Sequence, residues 1–252
     1  MANKSTTSTE DWLRERRFAI LAFVVCLTVG HLISRDIVSR NTTASRLAAK
    51  GLAKEWAADL EVEMSHSISV LDVMATMVRQ ADGGIDQFQE LAPHFVTNFP
   101  AVLTLEMQRG GIIEDVYPRE GNEAAIGVNL FEHPENAEAV KATRDSGKLT
   151  LHGPLTLMQG MEGIAARRPL YFDRPGEPHK FWGFVTAIIT LDKIMSRADF
   201  GDLKDKGFCY ELRRISTRTG RSRVIRKTGE EELVDTVSNA INLPGEDWIL
   251  HV

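Results

Sequence analysis

Two carboxylates, Glu106 and Asp115, fall on neighbouring predicted strands, and two adjacent arginines, Arg167 and Arg168, fall on another. Paired carboxylates can divide acid and base work, and a strand arginine can clamp an anionic group. Nothing in the spacing sets an acid–base geometry for Glu106 and Asp115, and solvated strand faces account for both, so catalysis is not expected there. Successive strand residues face opposite ways, so one of Arg167 and Arg168 points inward. Arg167 reads equally as a ligand clamp or as a surface arginine. His152, just before Gly153-Pro154, reads as a turn residue or a hydrogen-bonding core histidine. No nucleophile stands beside a base, and no glycine loop joins a strand to a helix. Cys26 and Cys209 are too far apart in sequence to suggest a disulfide, and neither has the clustered partners a zinc site needs. These residues predict no enzyme, no metal and no cofactor.

The elements that position them follow from the rest of the chain. The 252 residues, 43% hydrophobic and 26% charged, describe a folded protein with room for one large or two small domains. A net charge of −5 and the lack of a basic stripe with interleaved aromatics argue against nucleic acid as a partner. Residues 1–17 are polar and end in Arg14-Glu15-Arg16-Arg17, after which no formal charge occurs until Arg35. The apolar run from Phe18 to Ile33 falls a little short of the roughly 20 residues that cross a bilayer, and snorkelling of Arg17 and Arg35 can extend it. It is expected to be a transmembrane anchor over 18–34. The exit His31-Leu32-Ile33-Ser34-Arg35 matches a signal-peptide cleavage site poorly. The preceding arginines place residues 1–17 in the cytoplasm and the folded part outside the inner membrane.

From Asp36 to about Arg79 there is no proline and one glycine, and apolar residues recur by threes, fours and one five through Leu47, Leu52, Trp56, Leu60, Met64, Ile68, Leu71, Met74 or Ala75, and Val78. That is helical periodicity, approaching a heptad seam from Leu60 onward. A long stalk helix over 36–82 is predicted, packed on its own domain, with a homodimer contact also expected along it. Asp82-Gly83-Gly84 ends it, and a short amphipathic helix follows over 85–97. Ala101–Met107 and Ile112–Tyr117 read as a hairpin around Gly110-Gly111, and residues 126–131 as a short extended piece. Residues 134–146 read as a helix closed by Gly147. Further strands are expected at 148–151, 155–158, 164–171 and 181–189, with a helix opening at Leu191. Helices on one side of an antiparallel sheet make an α+β, PAS-like arrangement. Strands that do not alternate one for one with helices exclude a doubly wound fold.

The motifs Tyr117-Pro118-x-x-Gly121-Asn122-Glu123-Ala124-Ala125-x-Gly127, Ser146-Gly147-Lys148, Gly153-Pro154, Gln159-Gly160, Pro169-x-Tyr171 and Gly183-Phe184-Val185, in that order, resemble the CHASE domain. That family is the extracytoplasmic sensory domain of receptor histidine kinases and of diguanylate and adenylate cyclases. The resemblance covers about residues 90–195. It implies a long helix followed by two tandem PAS-like antiparallel-sheet subdomains: a membrane-distal, ligand-binding one over 85–200 and a membrane-proximal one over 205–252. It also implies ligand-binding positions. The aspartate that holds the ligand in cytokinin-binding members corresponds to Asn136, a pocket threonine to His152, a leucine to Met158 and a second threonine to Arg167. These departures argue against a cytokinin and describe a polar, partly cationic pocket suited to a small anionic or amide-bearing molecule.

The function expected is therefore an extracytoplasmic small-ligand sensor of a transmembrane receptor, with the output domain absent from this chain. The alternatives are a membrane-tethered periplasmic hydrolase, which lacks a nucleophile–base pair or metal set, and a structural interaction module whose pocket is filled by its own side chains.

Overall fold

The computed structural model describes residues 6–134, 136–156, 162–174, 176–198, 207–216, 220–230 and 232–252. The chain divides into two compact units, Met1–Ala49 and Lys50–Val252. The first contains the N-terminal part of helix α1 (Thr6–Ile68). Leu21, Phe23, Val24, Val25, Leu27, Val29, Leu32 and Ile33 are exposed along it. Among the described residues no helix is long and apolar enough to cross a membrane. The expected span over 18–34 is thus not shown: the apolar run is short of the roughly 20 residues a bilayer core requires.

In the second unit, the last turns of α1 bury Ala53, Trp56, Ala57, Leu60 and Met64, a helical stripe. The stalk helix was expected to run unbroken to residue 82. Instead α1 ends at Ile68, and α2 (Val70–Gln80) begins after Ser69. The cause is local. The Ser69 hydroxyl donates to the His66 carbonyl at 2.6 Å, and its amide is shared between the Ser65 and His66 carbonyls, which disturbs the regular ladder. Helix α2 buries Val70, Leu71, Met74, Ala75, Met77 and Val78, and α3 (Phe88–Asn98) follows.

The first sheet has five strands in the order β2-β1-β5-β4-β3, all antiparallel. They are β1 (Val102–Arg109), β2 (Ile112–Tyr117), β3 (Thr150–Thr156), β4 (Glu162–Arg174) and β5 (Glu177–Thr190). The extended piece at 126–131 pairs beside β2: Ile113 N–H donates to the Val128 carbonyl, Gly127 N–H donates to the Ile113 carbonyl, and Ile112 bridges Asn129. Helix α4 (Ala137–Ser146) starts later than the predicted residue 134 and is closed by Gly147 in the left-handed conformation at φ 65°. Gly183 in β5, at φ 151°, allows a closer approach still. A Cβ there would stand 2.1 Å from the Gln108 carbonyl oxygen.

The two faces of this sheet differ. Leu105, Met107, Val185, Ala187, Ile189, Ile164, Ala166 and Leu170 share one face, all fully buried, and α2 packs on it. Arg168 belongs to that side and pairs with Asp72 of α2 at 2.7 Å. Helix α4 covers the opposite face. There Val140 joins Ile113, Leu130 and Phe184 in an apolar cluster, and Thr143 meets Thr150 at 2.5 Å.

After α5 (Leu191–Arg197), the second sheet runs β7-β6-β9-β8, built from β6 (Glu211–Ser216), β7 (Ser222–Lys227), β8 (Ser238–Leu243) and β9 (Glu246–His251). Trp248, Leu212, Leu250 and Ile241 form its buried side. It joins the first sheet through polar links. Leu151 N–H donates to the Pro244 carbonyl at 3.0 Å, and Arg214 donates to the Gly153 carbonyl. The Arg214 guanidinium also pairs with Glu246 at 2.8 Å, and Trp248 Nε1 donates to the same carboxylate at 3.3 Å. Burial dominates over these partners and raises the Glu246 pKa from the ordinary 4.5 to about 7. An acid with a raised folded-state pKa favours folding while protonated and loses that contribution as pH rises through the folded value. Stability should therefore fall between about pH 4.5 and 7 by an amount on the order of 3 kcal/mol. Urea titrations across that range should show Glu246→Gln flattening the fall; an unchanged slope in the variant would assign it to other groups.

Candidate functional site

The covered face of the first sheet carries polar side chains in a row. Antiparallel partners share a face, and the register aligns Glu106 of β1 with Thr186 of β5, Thr186 with Arg167 of β4, and Arg167 with Thr150 of β3. Gln108 lies one step further along β1 on the same face. Arg167, Gln108 and Thr186 are buried, with Arg167 only 4% exposed. Arg167 Nε donates to Gln108 Oε1 at 3.3 Å, and Gln108 Nε2 donates to Glu106 Oε2 at 2.5 Å, so a neutral amide connects cation and carboxylate. The guanidinium also sits over the Phe184 ring, 5.8 Å from its centroid.

Burial raises the Glu106 pKa, and the Arg167 charge and the Gln108 hydrogen bond oppose that rise. Burial lowers the Arg167 pKa, and Glu106 opposes that. Each charge is thus held in place by the other across the sheet. Arg167 Nη1, Thr186 Oγ1, Asn136 Oδ1 and His133 Nδ1 are buried polar atoms without a hydrogen-bond partner among the described residues. Such atoms are costly in a packed core and ordinary in a site that meets a polar molecule.

The sequence-predicted residues fall in different places. Arg167 lies at the centre of the polar row and is interior, so it is not a surface arginine. Asn136 caps α4 by position, yet its side chain makes no capping bond and its Oδ1 is buried without a partner. His152 shares the face of Arg167, opposite Ala165, and with Thr150, Arg214 and Glu246 it lines a cleft of about 240 Å³ between the sheets. Met158 lies outside the described residues. Sequence reasoning missed Glu106 as an interior group, along with Gln108, Thr186 and His133. Thr104, Glu106 and Gln108 alternate with Leu105 and Met107, a pattern that marks two faces without saying which is wet. Glu106 and Asp115 do not converge. Asp115 aligns with Met107, on the other face, where Gln89 and Arg119 hold its carboxylate at 2.7 and 2.9 Å. Among the described residues no group of three or more His, Cys, Asp and Glu is placed to hold a metal ion.

A helix leading into two antiparallel sheets is an architecture shared with solved structures of sensor domains. The periplasmic sensory domain of the Campylobacter jejuni chemoreceptor Tlp1 superposes with a TM-score of 0.57 at 9% identity, over 83% of this chain and 94% of that one. The ligand-binding domain of the Pseudomonas aeruginosa PAO1 amino-acid chemoreceptor PctC gives 0.55 at 10% identity, over 82% and 98%. An extracellular ligand-binding receptor from Desulfohalobium retbaense gives 0.56 at 16% identity over 79% of this chain, which spans only 39% of that receptor. A comparison with curated protein sequences finds no match. The CHASE domain family model matches residues 71–221. The chain belongs to the CHASE domain family, and it is an extracytoplasmic sensor module.

The Glu106–Gln108–Arg167 arrangement makes a direct prediction. Arg167→Met leaves a buried carboxylate uncompensated and should cost about 3 kcal/mol, and Glu106→Gln should cost a similar amount by stranding the guanidinium. Combining both should recover much of the loss. Equilibrium urea unfolding of the three variants measures this; additive losses would mean the two charges do not support one another.

Proposed function

We propose that this chain is the small-ligand-sensing part of a transmembrane signalling receptor of the histidine kinase or nucleotide-cyclase type. The observation that carries the reading is the buried polar row under α4, with Arg167 Nη1, Thr186 Oγ1, Asn136 Oδ1 and His133 Nδ1 lacking partners among the described residues. A structural module whose pocket is filled by its own side chains would satisfy those atoms internally. A hydrolase would need convergent groups, and Glu106 and Asp115 lie on opposite faces. The Pseudomonas neighbour was solved with GABA; binding of a small molecule is extended here to this chain. Ligand enters the distal part, residues 85–200, through Asn136, Arg167 and Met158, with His152 at its edge, and residues 205–252 form the membrane-proximal part. Activity is non-enzymatic: the ligand biases two arrangements by its differential affinity for them.

The N-terminal run over 18–34 anchors the module, with residues 1–17 cytoplasmic and the rest periplasmic. Its charge-free stretch and preceding arginines support this. Homodimerisation along the stalk places two sensors side by side, supported by the heptad-like spacing from Leu60 onward. Two measurements test the reading. In detergent micelles, the full chain should gain thermal stability from at least one fraction of a small-metabolite extract, because a ligand that binds only the folded state raises Tm; no gain from any fraction would sink the sensor reading. Cys209 is free and exposed. In intact spheroplasts a membrane-impermeant maleimide should label it, and labelling only after lysis would reverse the topology.

A further inference from the structure

The pocket face holds two formal charges that act on each other. Glu106 and Arg167 are each the charge that opposes the effect of burial on the other. Gln108 relays hydrogen bonds between them, from Arg167 Nε to one end of its amide and from the other end to Glu106 Oε2. Glu106 lies deep enough for burial to raise its pKa, yet it keeps accessible surface. The Glu106 side chain can therefore be reached from solvent while Arg167 and Thr186 beside it are interior. Among the described residues Arg167 Nη1 is buried without a partner, and Thr186 Oγ1, equally unpartnered there, lies between the two charges in the same cross-strand row.

The charge balance then restricts what can enter. Taken together, Glu106 and Arg167 carry no net charge. A monoanion would leave one uncompensated negative charge in a desolvated site, and a monocation one positive charge. An uncharged molecule would offer only dipoles to a guanidinium and a carboxylate that both have hydrogen-bonding capacity to spare. A molecule with an anionic and a cationic end keeps the site neutral and gives each charge an ionised partner, the stronger kind of hydrogen bond.

We infer that the pocket takes a small zwitterion, its carboxylate against Arg167, its ammonium against Glu106, and the Thr186 hydroxyl bonding between them. This rests on the sensor reading above, and it replaces the anionic or amide-bearing ligand that the sequence suggested. The electroneutral site makes selectivity a matter of charge arrangement as well as shape.

The test uses the full chain in detergent micelles and a metabolite set divided into zwitterions, anions, cations and uncharged compounds, read by thermal unfolding. Compounds that raise Tm should be zwitterions. For the best of them, Glu106→Gln should weaken binding about tenfold or more. The same variant should bind the matched anion, the same skeleton without its amine, better than the wild type does. Arg167→Gln should mirror this toward the matched amine. If Arg167→Gln does not fold, Thr186→Val supplies the second variant, with weakened zwitterion binding expected. Stabilisation confined to anions, cations or uncharged compounds would overturn the zwitterion and leave the sensor reading intact. A zwitterion whose binding ignores both Glu106→Gln and Thr186→Val would place it elsewhere and also overturn the inference. Stabilisation by no compound at all would sink the sensor reading and this inference with it.

Discussion

An arginine on a buried strand of a sheet has to be compensated, and the first sheet is arranged around that requirement. Arg167 lies on β4, with β5 and β3 on either side, under a helix and away from water. An isolated buried guanidinium would cost several kcal/mol. The cost is met from two strands away, where Glu106 of β1 supplies the opposite charge and Gln108 the connecting amide. The arrangement depends on register. A one-residue slip of β4 would turn Arg167 into the apolar layer and Arg168 into the pocket. Arg168 points the other way and pairs with Asp72 of α2, so the two neighbouring arginines anchor opposite faces. The close β1–β5 contact at Gly183 helps hold the register, because no larger residue fits beside the Gln108 carbonyl.

This links pocket and helix without an intermediary. The strands that carry Arg167 and Thr186 on one face carry Ala166, Val185 and Ala187 on the other, against α2. Close-packed interiors pass displacement on, having little free volume to absorb it. A displacement of β4 or β5 would therefore reach α2 through one layer of small side chains and through the Arg168–Asp72 pair. Ser69 is where such a shift can be taken up, since the hydrogen-bond ladder between α1 and α2 is already irregular there.

Much of this was legible in the sequence, and the exceptions share a cause. The sequence places β2 where the structure has it, because turn residues and alternation agree over short distances. The break at Ser69 was not, because a serine inside a helical pattern shows nothing until its hydroxyl chooses the carbonyl behind it. Helix α4 was started too early at Pro134, a residue that suits a first turn but does not compel one. Glu106 was assigned to solvent for a related reason. Alternation along β1 separates two faces, but whether the polar face is wet depends on α4, thirty residues later. Asn136, His152, Met158 and Arg167 came from family correspondence, and the partners of Arg167 on β1 and β5 lay outside it.

The two sheets of the folded unit are joined by polar contacts, and the first sheet is joined to α2 by an apolar layer. The junction between the sheets includes the Leu151–Pro244 backbone bond, the Arg214 contacts with Gly153 and Glu246, and the Arg226 pairs with Asp192 at 2.5 Å and Glu162 at 3.6 Å. The Arg226 pairs are half-exposed and can be exchanged for water at a net cost of about 1 kcal/mol each, whereas the Arg214–Glu246 pair is buried and costs more to open. Separating α2 from the sheet would expose Leu71, Met74 and Val78, each fully buried, at roughly 1.5–3 kcal/mol apiece. The apolar boundary with the helix is the more continuous of the two, so a displacement of β4 would pass to α2 through packed side chains.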